Sequence, residues 1–329
     1  MICRDMKSRK RYVIRDILNH YYQRTVKGNL IFYSVSDYLV YYTLFCTLAV
    51  KHSVKVYMLC LMPDHIHSTL AAKSAQDLSA FIQKLNARFV SSQNDFGKCS
   101  GPLMAHPFGC APKKGDKKAR TNIIYVGNNP VERRLVTKAE NYRWNFLAYA
   151  KSDHPFSDKI ELSKASRPMR RALKTVNLVH SQGNPMTFQI LKGLFSTLTA
   201  QESQQLTDHI VSKYLIIDFS ETSRLFDTYE DMINAMHSNT GSEYDLNEVF
   251  VGKSDAYYAR MIGILMKELG LRDIHEILSY SIDQKFELYQ LLRSRTDAPG
   301  EQIAKLLRMP FRRSDANDFP EESPNQCGI

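Results

Sequence analysis

The sequence predicts an α+β fold, an antiparallel sheet with helices on one face, followed by an all-α C-terminal region. Three observations carry this. Over the first half, aromatic or β-branched runs alternate with helical patterns in the order strand, helix, hairpin, helix, strand, helix. A Pro63-Asp64 turn separates two runs that therefore pair as neighbours. After about Ser152 the aromatic runs thin out and the chain is polar and mostly helical in pattern. Strands first and helices after them is the arrangement of an α+β protein.

Each element has its own signature. Residues 18–24 (LNHYYQR) alternate as a strand does, and KGNL at 27–30 supplies a turn. Asp37 is expected to cap a helix running to about His52. Residues 54–62 (VKVYMLCLM) are an apolar strand, and His65–Ala71 (HIHSTLA) returns as its hairpin partner. Ser74 caps the next helix, whose apolar positions recur at helical spacing. Residues 97–120, rich in Gly, Pro and Lys, read as a loop with a short strand near 103–108. A helix then carries TNIIYVGNN and is expected to stop at Pro130. SDHPFSDK, within 150–165, reads as a linker, and the acidic, proline-containing 314–329 as a disordered tail. The expected division is 1–155, a mostly helical 156–313, and the tail.

Charge points to a polyanionic partner. Residues 1–150 hold 23 Lys and Arg against 9 Asp and Glu, whereas 151–329 hold 21 against 25. The first half thus carries +14 and the second −4, within a net +10. Clustered Lys and Arg gain affinity by releasing counterions from phosphates, so nucleic acid is the expected partner. No run approaches the roughly 18 apolar residues of a membrane span. The basic start, MICRDMKSRKRY, has no apolar signal core behind it. A cytoplasmic, nucleoid-associated protein is expected. The six cysteines form no CxxC pair, so neither a zinc motif nor a disulfide framework is suggested.

His65 and His67 are separated by one residue. On a strand, side chains at i and i+2 share a face about 6–7 Å apart. The two imidazoles can therefore converge on one ion while Ile66 points into the core. Among ten histidines, an HxH by itself is a weak signal.

The surrounding residues sharpen it. Met62-Pro63-Asp64-His65-Ile66-His67 resembles the metal-binding strand of HUH nucleases, specifically the REP-associated and insertion-sequence single-tyrosine transposases. Asp64 stands where that family usually has Asn; both suit a turn, and Asp64 can add a carboxylate near the ion. Tyr125-Val126-Gly127-Asn128-Asn129-Pro130-Val131, followed by Tyr142-Arg143-Trp144, resembles the family's tyrosine helix. The two motifs stand in the family's order, and the similarity spans roughly residues 15–150. The resemblance implies a ferredoxin-like HUH nuclease domain in which Tyr125 is the nucleophile. It implies His65, His67 and Asn129 as ligands of Mg²⁺ or Mn²⁺. The implied activity is metal-dependent cleavage and rejoining of single-stranded DNA through a 5′-phosphotyrosine intermediate, in transposition or a domesticated derivative. The implied partner is hairpin or palindromic DNA, and family members act as monomers or as homodimers that share sites.

Tyr125 and Asn129, at i and i+4, can share a helix face, and an amide oxygen suits a hard cation. Gly127 weakens that helix by about 1 kcal/mol relative to Ala, and Pro130 biases Asn129 away from helical angles. Asn129 therefore reads equally as a ligand or as a helix C-cap, with Asn128 the fallback ligand. Lys113, Lys114, Lys117, Lys118 and Arg120 precede the helix, and Arg133, Arg134 and Arg143 follow it, so phosphate contacts on both sides are expected. Tyr21, Tyr22, Tyr142 and Trp144 read either as stacking platforms for single-stranded bases or as core.

In the second half, residues 285–309 read as a helix, a Gly/Pro turn and a short helix, either a helix-turn-helix extending to Arg313 or an ordinary helical hairpin. Two other functions compete with strand transfer. One is a DNA-binding regulator with the transposase fold but without transposition activity. The other is an unrelated HxH metallohydrolase, which leaves Tyr125 and the charge asymmetry unexplained.

Overall fold

The computed structural model describes residues 13–14, 17–238 and 255–311. The first half runs β1 (Asn19–Arg24), α1 (Val35–Lys51), β2 (Lys55–Leu61), β3 (His65–Ala71), α2 (Ala75–Gly97), β4 (Gly109–Pro112). The strands lie in the order β2-β3-β1-β4, and every pairing is antiparallel. A βαββαβ chain in that order is the ferredoxin-like arrangement. The expected strand near 103–108 lies further on, at Gly109–Pro112, and Met104 makes only an isolated bridge to Thr25. Gly109 stands opposite Tyr22, and a Cβ there would run into the Tyr22 ring.

Capping fixes the helix starts. Ser34, not Asp37, is the N-cap of α1; Asp37 sits three residues in, and its Oδ2 accepts the Ser34 N–H at 2.8 Å. Ser74 caps α2 as expected, its hydroxyl accepting the Asp77 N–H at 3.0 Å.

The sheet alternates its two faces. Leu59 and Leu61 of β2 and Ile66 and Leu70 of β3 pack with α1 and α2. Met58, Cys60 and Met62 point the other way, onto α3 (Asp116–Glu132). Thus α1 and α2 share one face and α3 covers the second. The helix of α3 also passes Pro130 and ends at Glu132. Proline removes only its own N–H bond, and the chain resumes at once, with Arg133 N–H donating to Asn129 O at 3.1 Å.

Beyond the sheet come α4 (Arg167–Ser181), α5 (Phe188–Phe195), α6 (Ala200–Lys213), α7 (Phe219–Ser223) and α8 (Tyr229–His237). Helix α1 is buried nearly all round because it lies between the sheet and this group; Tyr41, Tyr42 and Phe45 are fully buried. Each such side chain contributes about 1.5–3 kcal/mol when removed from water. Val176, Leu191, Leu206 and Ile210 belong to the same core as Ile66 and Phe81. The segment expected as a linker is fastened to α6: the buried Asp208 carboxylate accepts the Phe156 N–H and the Ser157 hydroxyl.

A second core joins α9 (Ala256–Glu268), α10 (Ile282–Arg295) and α11 (Gly300–Leu307) to Leu30 and Tyr33 of the first half. The candidate helix-turn-helix is α10, residues 296–299 and α11. Helix α11 turns its apolar side inward: Ile303, Ala304, Leu306 and Leu307 are buried, and the Tyr33 hydroxyl donates to Leu306 O at 2.8 Å. Arg312, Arg313 and the acidic tail lie outside the described residues.

Candidate active site

Three rungs join α3 to β3 across the second sheet face. Thr69 Oγ1 donates to Asn122 Oδ1 at 2.9 Å. The Tyr125 ring stands edge-on to His67, with centroids 5.2 Å apart. Asn129 Oδ1 lies 3.0 Å from His65 Nε2. Helix positions 122, 125 and 129 meet strand positions 69, 67 and 65 because the helix runs antiparallel to the strand. A spacing of three or four along a helix matches a spacing of two along a strand closely enough to keep every rung in register.

His65, His67, Tyr125 and Asn129 are therefore together, and all four are buried. Asn129 is not a C-cap, since the helix continues past it, and Asn128 is committed elsewhere, donating to Met236 O at 2.7 Å. Gly127 permits that approach, because a Cβ there would lie 2.6 Å from Met236 Cε.

The donor chemistry fits a divalent cation. The Asp64 carboxylate engages His65 Nδ1 at 2.5 Å, behind the ring as seen from Asn129. A neutral imidazole has one N–H. Given to Asp64, it leaves His65 Nε2 as a lone pair facing the Asn129 oxygen, two acceptors that a cation brings together. Adjacent ligands of an octahedral ion held at about 2.1 Å lie about 3 Å apart, the separation seen here. His67 Nε2 is buried with no hydrogen-bond partner, and burial holds the His67 pKa well below the usual histidine range. Neutral imidazole is the ligating form. Burial likewise opposes the Asp64 charge, but His65 beside it outweighs that and lowers its pKa. Asp64 is thus an orienting partner of His65. Among the described residues no three His, Cys, Asp or Glu side chains gather as a metal site; the oxygen that faces His65 Nε2 is the Asn129 amide oxygen.

Three neighbours carry no clear signal in the sequence. His20 of β1 stacks on His67 at 5.2 Å and stands edge-on to Tyr125 at 5.7 Å. Asp255, buried and bonded through its N–H to Arg133 O at 3.3 Å, is raised to about 6 by burial and then by the nearby Asp64 charge. Lys305 of α11 is near enough to act electrostatically on both carboxylates. For His20, the sequence signal is alternation with Tyr22; its relation to His67 appears only once the β1–β3 register is known.

The cationic residues divide. Lys114, Lys117, Lys118, Arg120 and Arg134 are exposed, and Lys113 and Arg133 half-buried, around the two ends of α3. Arg143, expected among the DNA contacts, is engaged within the protein: it pairs with buried Asp208 at 3.2 Å, donates to Gln204 at 2.8 Å and lies over Phe156. Of the four aromatics, Tyr21 is fully buried, Trp144 stacks on Tyr38 at 4.4 Å, and Tyr142 donates to Leu61 O. These three are core. Tyr22 is the one of the four that lies beside the histidines, half-buried and under the Arg24 guanidinium.

Residues 5–96 match the family model described as "Transposase IS200 like". That span includes β1, the histidine pair and α2 but ends before α3. A solved structure described as "Structure of the REP associates tyrosine transposase bound to a REP hairpin" aligns with 49% of this chain and 98% of its own, at 13% identity and a TM-score of 0.39. No curated protein matches this chain in sequence. Among the described residues no helix is long and apolar enough to cross a membrane.

Proposed function

We propose that this chain, whose residues 5–96 match the IS200-like transposases, cleaves and rejoins single-stranded DNA with Tyr125 as nucleophile. The carrying observation is the cluster itself: His65 Nε2 and Asn129 Oδ1 at 3.0 Å, His67 Nε2 buried without a partner, and Tyr125 against His67. His65, His67 and Asn129 would hold Mg²⁺ or Mn²⁺, which when bound withdraws charge from a nonbridging phosphate oxygen and orients the scissile bond.

The chain's own groups do the rest. Tyr125 Oη forms a bond to phosphorus while the bond to the 3′ oxygen breaks, and the phenol proton ends on that oxygen. The products are a 5′-phosphotyrosine link and a free 3′-OH. Attack by another 3′-OH reverses the step and joins strands without ATP. Residues Lys113, Lys114, Lys117, Lys118, Arg120, Arg133 and Arg134 supply phosphate contacts, and Tyr22 supplies an aromatic face beside the site. The substrate in this reading is hairpin or palindromic single-stranded DNA, and the site of action the cytoplasm and nucleoid.

The test is incubation with single-stranded hairpin DNA from the gene's own flanks, with Mn²⁺. A covalent protein–DNA adduct is expected for wild type and not for Tyr125→Phe. An adduct that persists in Tyr125→Phe overturns the assignment of the nucleophile; no adduct with any flanking end overturns the activity.

A further inference from the structure

We infer that His20 is the positioning residue of the site, holding His67 in the tautomer whose Nε2 lone pair faces the cation. The inference rests on the metal reading above and deepens it.

His20 Nε2 and His67 Nδ1 lie 3.0 Å apart, both rings are buried, and the rings stack at an interplanar angle of 20°. One N–H therefore lies between the two nitrogens, and its ownership decides what His67 presents at its far side. If His20 Nε2–H donates, His67 must carry its own proton on Nε2, where it is buried and meets no acceptor. A buried N–H without an acceptor is the costlier arrangement, and no cation relieves it. If His67 Nδ1–H donates to His20 Nε2, then His67 Nε2 is a bare lone pair. That atom is the one orphan in the cluster that a divalent ion satisfies.

Ligating histidines usually give their second ring N–H to a carboxylate, carbonyl or water, and that partner fixes tautomer and ring angle. Asp64 plays this part for His65. His20 plays it for His67 from the neighbouring strand. The β1–β3 register, with Tyr22 opposite His67 and His20 opposite Thr69, brings His20 to His67 on the diagonal. His20 also stands edge-on to Tyr125 at 5.7 Å, so one ring packs against both a ligand and the nucleophile.

Two measurements test this. Imidazole ¹⁵N NMR of the metal-free wild-type protein reads the His67 tautomer directly; the Nδ1–H form is expected, and a dominant Nε2–H form overturns the inference. Mn²⁺ titration followed by electron paramagnetic resonance compares wild type, His67→Ala, His20→Gln and His20→Leu. Gln can offer its amide oxygen where His20 Nε2 stands, so His20→Gln should bind nearly as wild type. His20→Leu should bind about 10–100-fold more weakly, the usual effect of losing an outer partner, and His67→Ala more weakly still. Loss in His67→Ala with wild-type affinity in His20→Leu overturns the role of His20 and leaves the metal reading intact. Wild-type affinity in His67→Ala overturns both.

Discussion

Neighbouring asparagines on α3 do different work, and their substitutions separate the two. Asn129 offers its oxygen to the histidine cluster, whereas Asn128 donates to Met236 O at 2.7 Å. Removing an outer partner of a metal ligand typically weakens binding about 10–100-fold. Asn129→Ala should weaken Mn²⁺ binding by more than that and leave the denaturation midpoint nearly unchanged. Asn128→Ala should keep its affinity but lose about 1–3 kcal/mol, because a buried carbonyl is left without its donor. Mn²⁺ titration and urea unfolding, run on both variants, check the pair; a swapped pattern would contradict the assignment. Arg143 makes a second contrast. Its guanidinium is the charge partner of Asp208, which is fully buried and also accepts from Tyr149, Phe156 and Ser157. Arg143→Ala should cost about 3–5 kcal/mol in urea unfolding by stranding that carboxylate. Sequence groups Arg143 with the DNA contacts because it shows charge and spacing but not the acid that folding brings alongside. The same limit hides His20, whose partner is 47 residues away. His65, His67 and Tyr125 are singled out in the sequence by motifs that resemble a known family's; periodicity adds only that the two histidines share one strand face. Asn129 is ambiguous because the following proline suggests an end that tertiary packing on the sheet overrides.

Helix α3 presents two faces, one to the histidines and one, at its first turns, to solvent. Lys117 and Lys118 are exposed there. If they bind backbone phosphates, the Lys117→Ala, Lys118→Ala double variant should flatten the salt dependence of single-stranded DNA binding by about 0.7 in log–log slope for each phosphate no longer neutralised. Fluorescence anisotropy across a salt series measures it, and an unchanged slope would remove these lysines from the interface. On its other flank α3 meets α8 at Gly127, where a Cβ would lie 2.6 Å from Met236 Cε. Gly127→Val should destabilise by about 1–3 kcal/mol through overpacking. Met236→Ala should recover part of that loss in the double variant, a coupling visible in urea unfolding. How legible an element is follows from its length and pattern. The expected and observed bounds of β3 coincide because its alternation is long and its turn is marked by proline. The expected and observed positions of β4 differ because it has only four residues, one glycine and one proline among them, leaving no period to detect. Helices α4 to α6 are helical by pattern, but their burial against α1 is not legible, since amphipathicity gives a face and not its partner.

Across the whole molecule, a buried ionic contact adds to the apolar core that ties the C-terminal helices to the sheet half. His275 Nε2 lies 2.8 Å from Asp37 Oδ1, and His275 Nδ1 lies 2.6 Å from Asp273. Asp37 also accepts from the Ser34 N–H at the start of α1 and from Gln93 at 2.7 Å, and Arg308 donates to Gln93 at 2.6 Å, so α1, α2, α11 and the 3-10 turn at Ile274–Ser279 meet here. Burial opposes the charge on His275, but the Asp37 and Asp273 carboxylates outweigh it and hold its pKa at about 9. Burial also opposes the Asp37 charge, yet His275, Gln93 and Ser34 together bring its pKa below the usual carboxylate value. The sign follows from linkage. His275 has a folded pKa above its unfolded value near 6.5. Its contribution is therefore fully present below pH 6.5 and is lost as pH rises through about 9. Asp37 has a depressed pKa, so its contribution is present above its unfolded value and is lost as pH falls below it. Wild type should therefore lose stability between pH 6.5 and 9 with a slope of at most about 1.4 kcal/mol per pH unit from this group. His275→Gln keeps a polar side chain but cannot take up the proton; it should be less stable at pH 6 and show that slope removed. Urea midpoints from pH 5 to 9.5, compared between wild type and His275→Gln, check it. Parallel curves for the two proteins would mean that the imidazolium does not hold the two halves together.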